Sequence, residues 1–310
     1  MDFQYSIIIP HYNIPDLLMR CLESIPVSED IQVIVVDDNS PDADTYLERY
    51  PELSRPYLVF IRAPKNGGAG YARNIGLDHA TGKWLLFADA DDFFVENMSD
   101  IIYSYVDSEA DVIYFKNESV LSDNISIKAN RCLYINENID RYFSDGDEWP
   151  IRANMYGPVC KMIKRSLMVT HDIRFDEVMY ADDAYCSLQI GYYARTIQVV
   201  NRVLYVVTYR PNSQTYHFCL KPNELRLRAE AAFRMDKFML QNGFCREHRL
   251  KFFLVKMLTH DRRLFKYYFF KLEEIYPSKL VALRDIGKNK PLRFKVKFYL
   301  YSVLLWIRIL

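Results

Sequence analysis

Trp84-Leu85-Leu86-Phe87-Ala88-Asp89-Ala90-Asp91-Asp92 is the stretch on which the fold turns: an apolar run ends abruptly in three carboxylates. The run reads as a buried strand. Alternate side chains of an extended segment share a face, so Asp89 and Asp91 can converge on one hard divalent ion while Asp92 faces elsewhere or caps the next segment. Mg²⁺ or Mn²⁺ suits such a site, because these ions take a few protein oxygens and fill the rest of their shell with water and substrate phosphate. A turn made of helix-capping aspartates explains the same three residues taken alone.

Working outward, residues 5–10 read as a strand, 15–25 as a helix with Pro15 near its first turn, and 31–36 as a second strand. Residues 57–61 make a third strand and 69–79 a helix, just before the Trp84 strand. Strands alternating with helices imply a parallel sheet. Such sheets bind ligands at the carboxyl ends of their strands, where Pro10-His11-Tyr12-Asn13, Asp37-Asp38-Asn39-Ser40 and the Asp89 cluster would meet. Asp37 or Asp38 can accept hydrogen bonds from a nucleobase or ribose, with Asn39-Ser40 closing the turn; a helix cap before Pro41 is the plainer use of these residues. In Lys65-Asn66-Gly67-Gly68-Ala69-Gly70-Tyr71-Ala72-Arg73-Asn74 the glycines permit tight turns and the helix start offers free N–H groups to an anion or a base carbonyl. The order of a Walker phosphate loop is absent.

The order and spacing of these pieces resembles the family 2 glycosyltransferases and their GT-A fold. The resemblance lies in Ser6 to Asn13, Val35 to Ser40, Asn66-Gly67-Gly68 with Ala72 to Leu77, and Trp84 to Asp92; it resumes at Gly157-Pro158-Val159-Cys160-Lys161 and at Ala181-Asp182-Asp183. It implies an α/β fold with a Rossmann-like, mostly parallel sheet and flanking helices, followed by a C-terminal helical region. It also implies nucleotide contacts at Pro10, Tyr12, Asp37, Asp38, Asn66, Gly67, Arg73, Asp89 and Ala90, with Arg73 near uracil. Asp91 is then the first metal ligand, with Asp89 beside the ribose or in the metal shell, and Asp183 is the base with Asp182 orienting the acceptor. Related enzymes tend to close a loop over the diphosphate, for which Arg210, Ser213 and His217 are the candidates. Two departures stand out: His11 occupies a place where the family more often has Ser or Thr, and the downstream pair is Asp-Asp rather than Glu-Asp.

The chemistry has its own logic. Displacing a nucleoside diphosphate from an anomeric carbon builds negative charge on the leaving phosphate, which a metal held by aspartate offsets. The attacking hydroxyl must lose a proton to a carboxylate within reach, and a single displacement inverts the anomeric centre. A retaining glycosidase would need two carboxyls about 5 Å apart acting on one sugar, and nothing in the sequence suggests that pairing. The expected activity is a metal-dependent, inverting transfer from a nucleotide sugar, with UDP the expected nucleotide, to a surface glycan or lipid-linked acceptor of bacterial type. A sugar-nucleotide nucleotidyltransferase would want a glycine-rich basic loop directly after the first strand, where His11-Tyr12-Asn13 stands. A sugar-binding scaffold without catalysis is the other alternative, and the intact Asp91 and Asp183 argue against it.

Length and composition are those of a globular protein: 310 residues, half hydrophobic, 26% charged and net zero. Residues 1–100 are expected to form the nucleotide-sugar half, 101–218 the acceptor half and 219–310 a basic helical region. In the acceptor half, 111–115 reads as a strand, 149–157 as a polar, aromatic loop and 195–209 as a hairpin. From Arg246 onward 16 Lys and Arg face 5 Asp and Glu, leaving 24 against 35 before it. Basic residues alternate with aromatic ones there, which suits peripheral contact with an anionic leaflet, a helical bundle or an oligomer interface. No recognition module accompanies the charge, which speaks against nucleic acid as a partner. Residues 298–310 are apolar but fall short of the ~20 residues that span a bilayer. The start lacks the look of a signal peptide and the six cysteines form no framework, so a cytoplasmic protein, peripheral at the inner face of the membrane, is expected.

Overall fold

The computed structural model describes residues 3–210, 222–287 and 302. The chain divides into two compact units, Met1–Tyr216 and His217–Leu310.

In the first unit the elements run β1 (Tyr5–His11), α1 (Pro15–Glu23), β2 (Ile31–Asp37), α2 (Tyr46–Arg49), β3 (Leu58–Arg62), α3 (Ala69–His79), β4 (Trp84–Phe87), β5 (Phe93–Phe94) and α4 (Met98–Tyr103). They continue through β6 (Val112–Leu121), α5 (Leu133–Asp145), α6 (Trp149–Asn154), β7 (Lys161–Lys164), α7 (Arg165–Thr170), α8 (Ala184–Tyr193) and β8 (Ile197–Tyr209). The sheet order is β3-β2-β1-β4-β7-β6-β8-β5. Every residue of β1, β2 and β4 is buried, as strands covered on both faces must be, and these runs are accordingly apolar almost throughout. β3, β2, β1 and β4 are parallel.

The mostly parallel sheet expected from the sequence also carries antiparallel pairs: β7 runs antiparallel to both β4 and β6, and β5 antiparallel to β8. The expected hairpin at 195–209 is corrected. Residues 197–209 form one strand, parallel to β6 from Val112↔Ile197 to Leu121↔Tyr209. The register shifts between Phe115 and Lys116, whose partners are Val200 and Val203. Asn201 and Arg202, both exposed, are therefore a bulge that bends the strand without reversing it. The expected loop at 149–157 begins instead as α6, with Trp149 buried.

The second unit contains α9 (Pro222–Gln241), α10 (Leu250–His260), α11 (Arg262–Lys271) and α12 (Lys279–Gly287), packed around Leu225, Phe233, Leu254, Met257, Phe265 and Phe269. Asp236 ties two of these helices together by accepting the N–H groups of Arg249 and Leu250, at 2.8 and 2.9 Å. Phe252 and Tyr267 are about half exposed, with Lys256 and Lys271 over their rings. No helix among the described residues is long and apolar enough to cross a membrane. The basic run at 288–297 and the apolar end at 298–310 lie outside the described residues, apart from residue 302.

Candidate active site

The carboxyl ends of β1, β2 and β4 form one rim. At the β1 exit Pro10 is buried and Tyr12 is 48% exposed. His11 is buried, with Nδ1 2.7 Å from an Asp37 oxygen and Nε2 accepting the Ile14 N–H at 3.1 Å. The accepting role of Nε2 puts the ring proton on Nδ1, facing the carboxylate. Asp37 is wholly enclosed and also takes the Ser40 N–H at 2.7 Å and the Ser40 hydroxyl at 2.6 Å. Burial works against its charge, but the bonds from His11 and Ser40 outweigh it and hold the carboxyl below its ordinary value. Both Asp37 oxygens are thus engaged inside the turn, where they join two strand exits.

Asp38 reaches the glycine loop, accepting the N–H groups of Gly67 and Gly68 at 2.8 Å each. Burial raises its pKa in spite of those bonds. Gly68 has φ +88°, a left-handed conformation that favours glycine. Asn66 beside it is exposed.

The three aspartates after β4 are braced by the end of β8. The Asp89 N–H donates to the Tyr205 hydroxyl at 2.8 Å. The Thr208 hydroxyl donates to the Asp91 carbonyl at 2.8 Å, and the Thr208 N–H to the Asp92 carboxylate at 2.6 Å. Arg210 lies 3.4 Å from the Asp91 carboxylate, with its own Nε buried and without a hydrogen-bond partner among the described residues. From α1, Arg20 donates to the Asp91 and Ser122 carbonyls at 2.7 and 2.8 Å. Burial, then repulsion from Asp89, raises the Asp91 pKa. Burial with both neighbours raises that of Asp92 further.

Asp89 and Asp91 each give one oxygen to an arginine, which leaves the others for a cation. Two neighbouring carboxylates, each with an oxygen to spare, form a donor set that fits Mg²⁺ or Mn²⁺, since such an ion needs only one or two of them beside substrate phosphates. Among the described residues no group of three His, Cys, Asp or Glu gathers at one point.

Arg73, on α3, connects this turn to the downstream acidic pair. Its guanidinium donates to Asp89 at 2.6 Å and to Asp182 at 2.7 Å, with the Phe175 ring 5.3 Å away. Its side chain is 5% exposed and the two carboxylates hold it charged against the cost of burial. Gly70 permits this approach: a Cβ there would lie 2.1 Å from the Asp176 carbonyl oxygen and 3.0 Å from the Asp182 Cβ. Gly70→Ala is accordingly expected to cost about 1–3 kcal/mol by overpacking, read as a lower urea midpoint at unchanged slope.

Asp183 is the first residue before α8, but its carboxylate makes no capping bond. Burial, then repulsion from Asp182, with Arg73 opposing and Asp89 adding, pushes its pKa up to about 7. Ala181, just before the pair, is itself left-handed at φ +58°, a conformation costly for alanine and often found where function fixes the backbone.

Asp89, Asp91, Asp182, Asp183 and Arg73 thus share one rim. Asp38, Gly67 and the β1 exit belong to the same carboxyl ends. Ser213 and His217 lie outside the described residues. Sequence reading missed Arg20, Tyr205 and Thr208. They act through main-chain groups of the aspartate turn, and no motif marks such a role.

An acid-lined rim on a Rossmann-like sheet, with a second acidic pair facing it, defines a glycosyltransferase of GT-A type. The description Glycosyl transferase family 2 matches residues 6–170, and the chain belongs to that family. "Glycosyltransferase GlyA" of Streptococcus pneumoniae is 26% identical over 228 residues, covering 69% of this chain and 32% of its own. The chain spans 32% to 62% of the lengths of three curated relatives, GlyA among them. Among solved structures, S. aureus TarS 1-349 in complex with UDP-GlcNAc superposes with a TM-score of 0.58 at 21% identity, over 98% of this chain and 89% of that one. The mannosyltransferase PcManGT of Pyrobaculum calidifontis, in complex with GDP-Man and Mn²⁺, gives 0.52 at 16% identity, over 99% and 81%. These two likenesses carry the fold.

Proposed function

We propose that the chain transfers a sugar from a nucleotide sugar, with UDP as the nucleotide, to a hydroxyl of a surface glycan or lipid-linked acceptor, with inversion at the anomeric carbon. The observation that carries this reading is the Arg73 bridge, which places the Asp182-Asp183 pair beside the carboxylate turn of Asp89 and Asp91. Asp91 and Asp89 hold a divalent cation. When bound, it offsets the charge that develops on the departing diphosphate. Arg210 lies on the same side, and its partnerless buried Nε suits a phosphate oxygen. Asp38, whose oxygens keep lone pairs beyond the bonds from Gly67 and Gly68, faces the nucleoside, with Tyr12, Asn66, Gly67 and Ala90 at its edges. Asp183 takes the acceptor proton, for which a pKa near 7 matches the task, while Asp182, fixed by Arg73, orients the acceptor. Arg73, committed to two carboxylates, acts on the nucleobase at most through that scaffold.

UDP-GlcNAc in TarS and GDP-Man with Mn²⁺ in PcManGT support the donor class and the metal. The basic, aromatic helices from residue 222 supply a peripheral membrane contact in this reading, and residues 1–100 and 101–218 serve donor and acceptor.

Excess chelator is expected to abolish donor turnover, with Mn²⁺ or Mg²⁺ restoring it. Mn²⁺ titrated into the protein with UDP should show a bound electron-spin signal that Asp91→Asn loses. Undiminished turnover in chelator, or equal Mn²⁺ binding by that variant, removes the metal from this site.

A further inference from the structure

A cavity of about 520 Å³ opens at the rim opposite the aspartates, lined by Lys83, Lys164, Arg165, Ser166, Val169 and Thr170. Lys83 immediately precedes β4 and Asp89 stands two positions past its end, so six steps along the chain, roughly 20 Å when extended, separate the two rims. The Arg165 N–H bonded to the Lys83 carbonyl at 2.9 Å closes the cavity floor where β7 leaves the sheet.

Three cations meet here. Lys83 Nζ is held by the Val106 carbonyl at 3.0 Å and Lys164 Nζ by the Glu109 carbonyl at 2.8 Å. Each ammonium has three donors, so both keep hydrogens for a ligand while their positions are fixed. The Arg165 guanidinium has no hydrogen-bond or ion-pair partner among the described residues. Glu109, fully exposed and 4.0 Å from Lys164, is the nearby countercharge, and a surface pair of that kind contributes little. The volume lies within the roughly 300–1,000 Å³ of small-molecule sites, more than a bare anion fills. Ser166 and Thr170 add hydroxyls, and Val169, 65% exposed, offers an apolar wall.

We infer that this cavity binds the phosphate ester of a small alcohol, the anion between Lys83, Lys164 and Arg165 and the carbon skeleton against Val169. The ester comes either free or as the headgroup of an anionic lipid. Calorimetric titration of the full chain with sn-glycerol 3-phosphate, at ionic strength fixed with KCl, tests it. Saturable binding is expected, weakened at least tenfold in Lys83→Gln/Arg165→Gln and also in Val169→Trp, which fills the cavity without touching its charge. Cosedimentation with phosphatidylglycerol vesicles that the charge variant loses assigns the ester to lipid; vesicle binding that ignores it assigns a soluble ester. No glycerol phosphate binding by the wild type, or equal binding by wild type and both variants, overturns the inference.

Discussion

Asp183→Asn is expected to lower sugar transfer by about 10²–10⁴-fold, the range of a lost general base, while nucleotide affinity stays within about twofold. The amide keeps the shape of the side chain but cannot accept a proton. In the wild type, transfer should rise with pH toward a plateau above about 7, because burial and Asp182 keep the acid form below that value. A folding readout separates this from general damage. A carboxyl raised in the folded state binds its proton more tightly there than when unfolded, so its contribution is present below about pH 4 and is lost as pH rises through about 7. Urea melts across that window should lose this pH dependence in Asp183→Asn. A variant that transfers at the wild-type rate would move the base to another residue.

Arg73→Met should have the largest effect on stability. It removes the cation between Asp89 and Asp182 and leaves two carboxylates beside each other, Asp182 with a side chain only 16% exposed. Losing one partner of a buried ion pair costs about 3–5 kcal/mol, and the lower figure is expected because Asp89 keeps solvent contact. Arg73→Lys should recover only part of it, since one ammonium cannot hold two carboxylates as a planar fork does. Were Arg73 chiefly a reader of uracil, Arg73→Met would weaken UDP binding and leave the urea midpoint unchanged. The two outcomes distinguish scaffold from nucleobase contact.

The carboxylate rim was legible as a cluster because its residues are local in sequence. The apolar strands β1, β2 and β4 each end in polar residues, and side-chain alternation sets Asp92 apart from Asp89 and Asp91, as its bond to Thr208 shows. The roles of Asp37 and His11 were not legible. Whether a carboxylate at a strand exit faces a ligand or its own turn depends on a contact across 26 residues. β8 was misread because a polar pair inside an apolar run is equally the mark of a turn and of a bulge; only pairing with β6 decides. Arg20, Tyr205 and Thr208 were invisible for a related reason, since they hold main-chain atoms 71 to 117 positions away.

The bracing of the aspartate turn bears on how such enzymes can be recombined. β8 lies in the half of the chain assigned to the acceptor, yet Tyr205, Thr208 and Arg210 grip Asp89, Asp92 and Asp91. A chimera spliced near residue 100, meant to graft a new acceptor preference onto an unchanged donor module, would exchange these grips together with the graft. Keeping residues 205–210 from the donor parent, as an island within the foreign segment, preserves them.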